Sequence, residues 1–137
     1  MNYIQLMPSE RVHMPSTEKH LLDITQYTDP YCTWCWGSEP VMRHIEVAYG
    51  DQVRMGFVMG GLVEDAAAFQ DPLNHIGGPG MAAQVAKHWE EASGRHGMPV
   101  DASVWLDMKD EFTSTWPANI AYKAAQMQDE KKANRFL

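Results

Sequence analysis

Apolar and polar residues change rhythm twice in this chain. Residues 21–27, Leu21-Leu22-Asp23-Ile24-Thr25-Gln26-Tyr27, form a short β-like run. Residues 52–59 alternate, with Val53, Met55, Phe57 and Met59 on one face, and predict a second strand. Between them, over 36–49, Trp36, Val41, Ile45 and Ala48 recur at near-helical spacing until Gly50-Asp51 stops the run. Pro40 either belongs to the first turn of that helix or kinks it, because its nitrogen cannot donate. A strand, a helix and a strand of these lengths predict a β-α-β unit with a right-handed crossover and parallel strands.

Beyond residue 64 strands disappear from the pattern. Asp71-Pro72 and Gly77-Gly78-Pro79-Gly80 mark a loop, and no strand precedes the glycines to make them a phosphate cradle. Over 81–93 Met81, Val85 and Trp89 share a helical face that ends at Gly94. After a break at Gly97-Met98-Pro99, residues 105–112 predict a short helix. Pro117, capped by Ser114 or Thr115, opens a last helix with Ile120, Ala121, Ala124 and Met127 inward and no stop signal before Leu137. Trp89, Trp105 and Trp116 read as helix-packing core, as do Met55, Met59, Met81 and Met127. The organisation expected is an irregular arm over 1–20, with an edge strand at 3–6, a β-α-β half over 21–64 and a helical segment over 65–137. Two strands make a poor sheet alone. The expectation is therefore that the chain is the N-terminal part of a longer protein, or that a partner completes the sheet.

Composition narrows the class. With 45% hydrophobic and 21% charged residues, a chain of 137 residues is ordinary for one globular domain. Its formal charge of −7 opposes a general nucleic-acid or anionic-membrane surface, and Lys131-Lys132 is only a solvated pair. No stretch reaches transmembrane length, and the first 22 residues lack the regions of a signal peptide. A cytoplasmic location is the expectation, which disfavours structural disulfides.

That makes the cysteines informative. Both lie in Tyr31-Cys32-Thr33-Trp34-Cys35-Trp36, at a strand-to-helix junction. Sulfurs at i and i+3 in a first helical turn lie on one face, beside unpaired N–H groups that favour a thiolate. A thiolate attacks disulfides and a thiol scarcely does. Zinc is the rival reading, but a site needs about four ligands. His44 is over two turns beyond Cys35, and His75, His88 and His96 would have to fold back. A third reading is two buried cysteines without chemistry.

The segment Tyr27-Thr28-Asp29-Pro30-Tyr31-Cys32-Thr33-Trp34-Cys35-Trp36-Gly37-Ser38-Glu39-Pro40 resembles the active-site segment of bacterial DsbA-like thioredoxin-fold proteins. It looks closest to a cytoplasmic branch of FrnE-type dithiol oxidoreductases and protease adaptors. Met59-Gly60-Gly61-Leu62 is similar to the family's end of strand two, and Ser114-Thr115-Trp116-Pro117-Ala118 to a helix start in its helical insertion. The likeness covers 21–65 strongly and 66–137 loosely. It implies a thioredoxin-like α/β fold whose β-α-β unit is followed by an all-helical insertion. The family's C-terminal β-hairpin, with its cis-proline, has no candidate in this sequence.

The resemblance implies Cys32 as nucleophile and Cys35 as resolving thiol, with no cofactor beyond the pair and no metal. Tyr31, Thr33, Trp34 and Trp36 would contact substrate, with Trp36 packed beneath the helix and Trp34 partly exposed. Thr33-Trp34 supplies no histidine between the sulfurs, which predicts a moderate potential, between roughly −270 and −180 mV. The family's buried acid, six residues before the first cysteine, is here Gln26. Asp29 or Glu39 could substitute, although Asp29 reads better as a turn cap and Glu39 as favouring the helix N-terminus. The implied function is a thiol–disulfide oxidoreductase acting on client proteins or small disulfides, with a redox partner still to be identified and a homodimer among the options. The alternatives are an adaptor presenting a client to a protease and a glutathione-dependent isomerase.

Overall fold

The computed structural model describes residues 22–109 and 111–134, so the predicted arm over 1–20 and its edge strand lie outside the described residues. Strand β1 (Leu22–Thr28) runs through a turn into helix α1 (Thr33–Tyr49), and a single 3-10 turn (Gly50–Gln52) leads into β2 (Val53–Met59). The strands pair in parallel, in register from Leu22 opposite Val53 to Thr28 opposite Met59. The period-2 pattern of β2 is realised, with Met55 and Phe57 buried. Helix α1 starts three residues earlier than predicted, because Cys32 itself is the N-cap, its sulfur accepting the Cys35 N–H at 3.3 Å. Pro40 therefore falls inside the helix rather than in its first turn. Met42 and Ile45 face the core while Val41 is exposed, so the buried stripe differs from the predicted one by a residue.

The second half is not wholly helical. Strands β3 (Gln70–Asp71) and β4 (Ile76–Gly77) form a short antiparallel hairpin that the sequence pattern missed. Two-residue strands are too short to show alternation. The turn is held by the Asp71 carboxylate, which accepts the Leu73 and Asn74 N–H groups and the Asn74 amide. A strand thus does precede the glycine run, but the run bonds inward: Gly77 N–H donates to Gln84 and Met81 N–H to the Gly78 carbonyl. Gly77, at φ 148°, is obligatory, since a Cβ there would lie 2.7 Å from the Phe69 carbonyl oxygen.

Helix α2 (Met81–His96) continues through Gly94 and stops at Gly97, whose left-handed backbone (φ 76°) directs its N–H to the Ser93 carbonyl. Helix α3 (Val104–Asp107) is shorter than predicted. Helix α4 (Trp116–Gln128) begins with Pro117 in its first turn, and Asp129 then caps the short α5 (Glu130–Ala133). Among the described residues no helix is long and apolar enough to cross a membrane, and there is no cis peptide bond.

Two cores result. One joins Ile76, Val85, Ala86, Ala102 and Trp105, with Trp89 and Phe112 meeting the Trp105 ring edge-on at 5.3 and 4.8 Å. The other joins Met55 and Phe57 of β2 to Tyr122 and Ala133. Helix α4 reaches it with a different face from the one predicted. Ile120 and Met127 are 62% and 81% exposed, Ala121 and Ala124 are exposed as well, and Asn119 and Tyr122 are buried instead. Polar anchoring decides the rotation. Asn119 bonds the active-site turn, Gln126 donates to the Phe57 carbonyl at 3.2 Å, and Tyr122 donates to Asn134 at 2.8 Å. Trp116 is also exposed rather than core, its indole lying over Gly61.

Tyr122→Ala is expected to lower unfolding free energy by about 3–5 kcal/mol in urea titrations. Ile120→Ser is expected to change it by no more than about 0.5 kcal/mol. The reverse order would place the predicted face inward after all.

Candidate active site

The turn between β1 and α1 brings the two cysteines together as free thiols in the first helical turn. Cys32 N–H donates to the Asp29 carbonyl at 2.9 Å, and the Cys32 carbonyl accepts the Trp36 N–H at 3.0 Å as the helix begins. The thiols also hydrogen-bond to each other, so the pair releases one proton readily and the second with difficulty. Cys35 is lowered from 9.0 to about 6, first by the hydrogen bond from Cys32 and then by the Thr28 hydroxyl and the Asp29 backbone, against burial and the Asp29 charge. Cys32 is raised by the same bond and by burial, against the Cys35 N–H that points at its sulfur. Between the two steps the pair therefore holds one proton and one thiolate charge between the two sulfurs.

Of the expected contact residues, Trp34 is exposed, as the sequence suggested, Tyr31 is half-buried and Thr33 is buried. Trp36 is 40% exposed, not packed beneath the helix. An indole N–H seeks an acceptor, and Trp36 finds the Pro99 carbonyl at 2.9 Å while Met42 and Ile45 take the inward face. Of the three histidines, His88 and His96 fold back, around the rings and not the sulfurs. His88 and His96 meet the Trp34 indole at centroid distances of 6.3 and 5.8 Å. His96 also lies 3.3 Å from the Thr33 hydroxyl, and its Nδ1 accepts the Met98 N–H, so the neutral ring carries its proton on Nε2 and donates to Thr33. Gly37 permits this approach, for a Cβ there would sit 2.4 Å from the imidazole. Among the described residues no three His, Cys, Asp or Glu side chains converge as metal ligands.

Asp29 is buried and binds more than its own turn. One carboxylate oxygen accepts the Tyr31 N–H at 2.8 Å. The other accepts the Leu62 N–H and the Asn119 amide, each at 2.8 Å. Asn119 in turn accepts the Gly61 N–H. Just beyond, Thr115 N–H donates to the Val63 carbonyl and the Thr115 hydroxyl accepts the Val63 N–H. The loop after β2 is therefore stapled between the active-site turn and the start of α4. Sequence reading treated Asp29 as a turn cap and missed Asn119; the signal was an amide on a helix otherwise rich in alanine.

Cys32 opens onto two cavities. A small one of about 60 Å³ touches both sulfurs and is lined by Gln26, Thr28, Asp29 and Glu39. Gln26 donates to Ser38 at 3.0 Å, and its Oε1 is buried without a partner among the described residues. Glu39 pairs with Arg43 at 2.5 Å. The second cavity, about 160 Å³, includes Cys32 but not Cys35 in its wall.

A parallel β-α-β unit with a dithiol at the N-terminus of its helix is thioredoxin architecture. A family model described as Thioredoxin matches residues 26–137, and the chain belongs to that family. It is 33% identical over 116 residues to the ClpXP adapter protein SpxH of Halalkalibacterium halodurans, covering 85% of this chain and 36% of that protein. It is 30% identical over 125 residues to the ClpXP adapter protein SpxH of Bacillus subtilis, covering 91% of this chain and 38% of that protein. A protein of the same description from Bacillus cereus is 25% identical over 132 residues, 94% of this chain and 42% of its own length. The chain thus spans well under half the length of these relatives.

Two outcomes test the geometry. Asp29→Ala orphans three donors at about 1 kcal/mol each and is expected to cost about 3 kcal/mol in chemical denaturation. Alkylation of the reduced protein by iodoacetamide is expected to rise with a midpoint near pH 6, and Thr28→Val to move that midpoint upward. The linked stability has a definite sign. With Cys35 at about 6 in the folded chain and 9.0 as reference, the reduced protein gains stability as pH rises from 6 to 9 and loses it as pH falls through 6. Above 9 the raised Cys32 reverses the trend.

Proposed function

We propose that this chain is the thioredoxin-like portion of an adapter that binds a client protein and presents it to a ClpXP-type protease. The observation that carries this reading is the description shared by the relatives above. A match over 116 of 137 residues is also wide enough to include the dithiol. Exposed Trp34 and Trp36 at the N-terminal end of α1 suit a client surface, since apolar groups at a rim mark contact sites.

Thiol–disulfide exchange is the second reading, favoured by the shared thiol proton and the lowered Cys35. Cys32 is the better nucleophile by access, because it borders the larger cavity and Cys35 does not. Cys32 passes its proton to Cys35 along their hydrogen bond and attacks one sulfur of a client disulfide. A Cys32–client bond forms, the client S–S bond breaks, and the leaving thiolate takes a proton from water. Cys35 then loses its proton to water and attacks the Cys32 sulfur. The second client thiol leaves, the protein holds a Cys32–Cys35 disulfide, and the client has gained two electrons. Run backward, the same steps oxidise a dithiol client.

One pair of assays separates the readings. Added to purified ClpXP and a client that co-purifies with it, the protein is expected to accelerate client degradation severalfold. A variant carrying Cys32→Ser and Cys35→Ser is expected to retain that effect. The reduced protein is expected to reduce a fluorescent peptide disulfide in equal amount, and Cys32→Ser to lose this. Unchanged degradation overturns the adapter reading; an intact peptide disulfide overturns the exchange reading.

A further inference from the structure

We infer that the cavity beside Cys32 is a side-chain pocket that seats one phenyl ring of the bound client. The inference rests on the client-binding reading and names what the client inserts. The volume of about 160 Å³ is close to the ~150 Å³ at which an apolar protein cavity holds benzene. Phe69, Ile76, Met81 and Val85 line it together with Trp89 and Trp105. The two indoles already stand perpendicular at 5.3 Å, so a further ring extends an edge-to-face cluster.

Most polar side chains in the wall are already committed; the exception is the Trp105 Nε1–H, buried without a partner among the described residues and placed to donate to the face of a seated ring. The Asp71 carboxylate accepts the Leu73 and Asn74 N–H groups and the Asn74 amide. The Thr33 hydroxyl is bonded to His96, and the Thr115 hydroxyl to Val63. His88, also in the wall, meets the Trp34 ring edge-on. A charged or strongly polar guest would give up its hydration for few matching partners, whereas a neutral ring loses nothing. Cys32 is part of the same wall, so the ring's parent chain passes beside the sulfur. The client residue is accordingly a phenylalanine next to, or close to, the segment that meets Cys32.

The probes are fluorobenzene, followed by 19F NMR, and two short peptides with phenylalanine or serine beside an S-methylated cysteine. Methylation keeps exchange chemistry out of the readout. Fluorobenzene is expected to bind the reduced protein saturably. The phenylalanine peptide is expected to displace it at about tenfold or more lower concentration than the serine peptide. Val85→Phe, which fills the pocket, is expected to abolish fluorobenzene binding. Should that variant fail to fold by circular dichroism, Leu62→Trp, at an exposed lining residue, is expected to weaken binding about tenfold. Absence of fluorobenzene binding overturns the inference, as does binding that survives the pocket variants. Fluorobenzene binding without competition by the phenylalanine peptide overturns it too, and assigns the pocket to a free small aromatic. Loss of the adapter reading shows separately, as unchanged degradation by ClpXP with fluorobenzene binding intact.

Discussion

The buried carboxylate of Asp29 is the constraint on which the site depends. A charge removed from water must be matched, and the described residues bring no cation to this one. Three N–H donors match it instead, from Tyr31, Leu62 and the Asn119 amide. Each donor belongs to a different part of the chain: the cysteine turn, the loop leaving β2, and α4. The same residue offers its carbonyl to the Cys32 N–H and lends its backbone to the Cys35 sulfur. Satisfying one anion thus fixes the turn, docks the helical half and adds to the electrostatics of Cys35.

The β-α-β unit was legible because its signals are local. Alternation in β2 and the apolar spacing of α1 appear within windows of seven to seventeen residues. The C-x-x-C was legible for the same reason. What escaped were features set by partners distant in sequence. The face of α4 follows from Asn119 reaching Asp29 and Gln126 reaching Phe57, not from the positions of Ile120 and Met127. Trp36 stays at the surface because the Pro99 carbonyl, 63 residues away, satisfies its indole. The hairpin at β3 and β4 is two residues on each side, below the length at which a period can be read. Gly94 looked like a stop and is not, since a helix tolerates one glycine at modest cost, while Gly97 takes the left-handed backbone that ends it.

The helical half packs around the residues that flank the pair. The C-terminal turn of α2 places His96 against Thr33 and over Gly37, so a histidine is present near the dithiol although none lies between the sulfurs. Trp105 and its ring partners support Tyr31, at 5.8 and 5.4 Å from Trp105 and Phe112, directly before Cys32. Neither neighbour follows from the spacing of the cysteines. Both come from the segment whose sequence resemblance was the looser.

Asn119 follows Asp29 by 90 positions, and this has a consequence for the chain as it is made. Synthesis delivers both cysteines long before it delivers the amide that completes the anion's shell. A nascent β-α-β unit can pair its strands, but its turn then carries a carboxylate short of a donor and still open to water. Contacts of such large sequence separation form late, after the loop between them has closed. The anchor of the cysteine turn therefore acquires its full set of donors only when the helical half has docked. Until then the β-α-β unit carries its dithiol on a turn that is only partly secured.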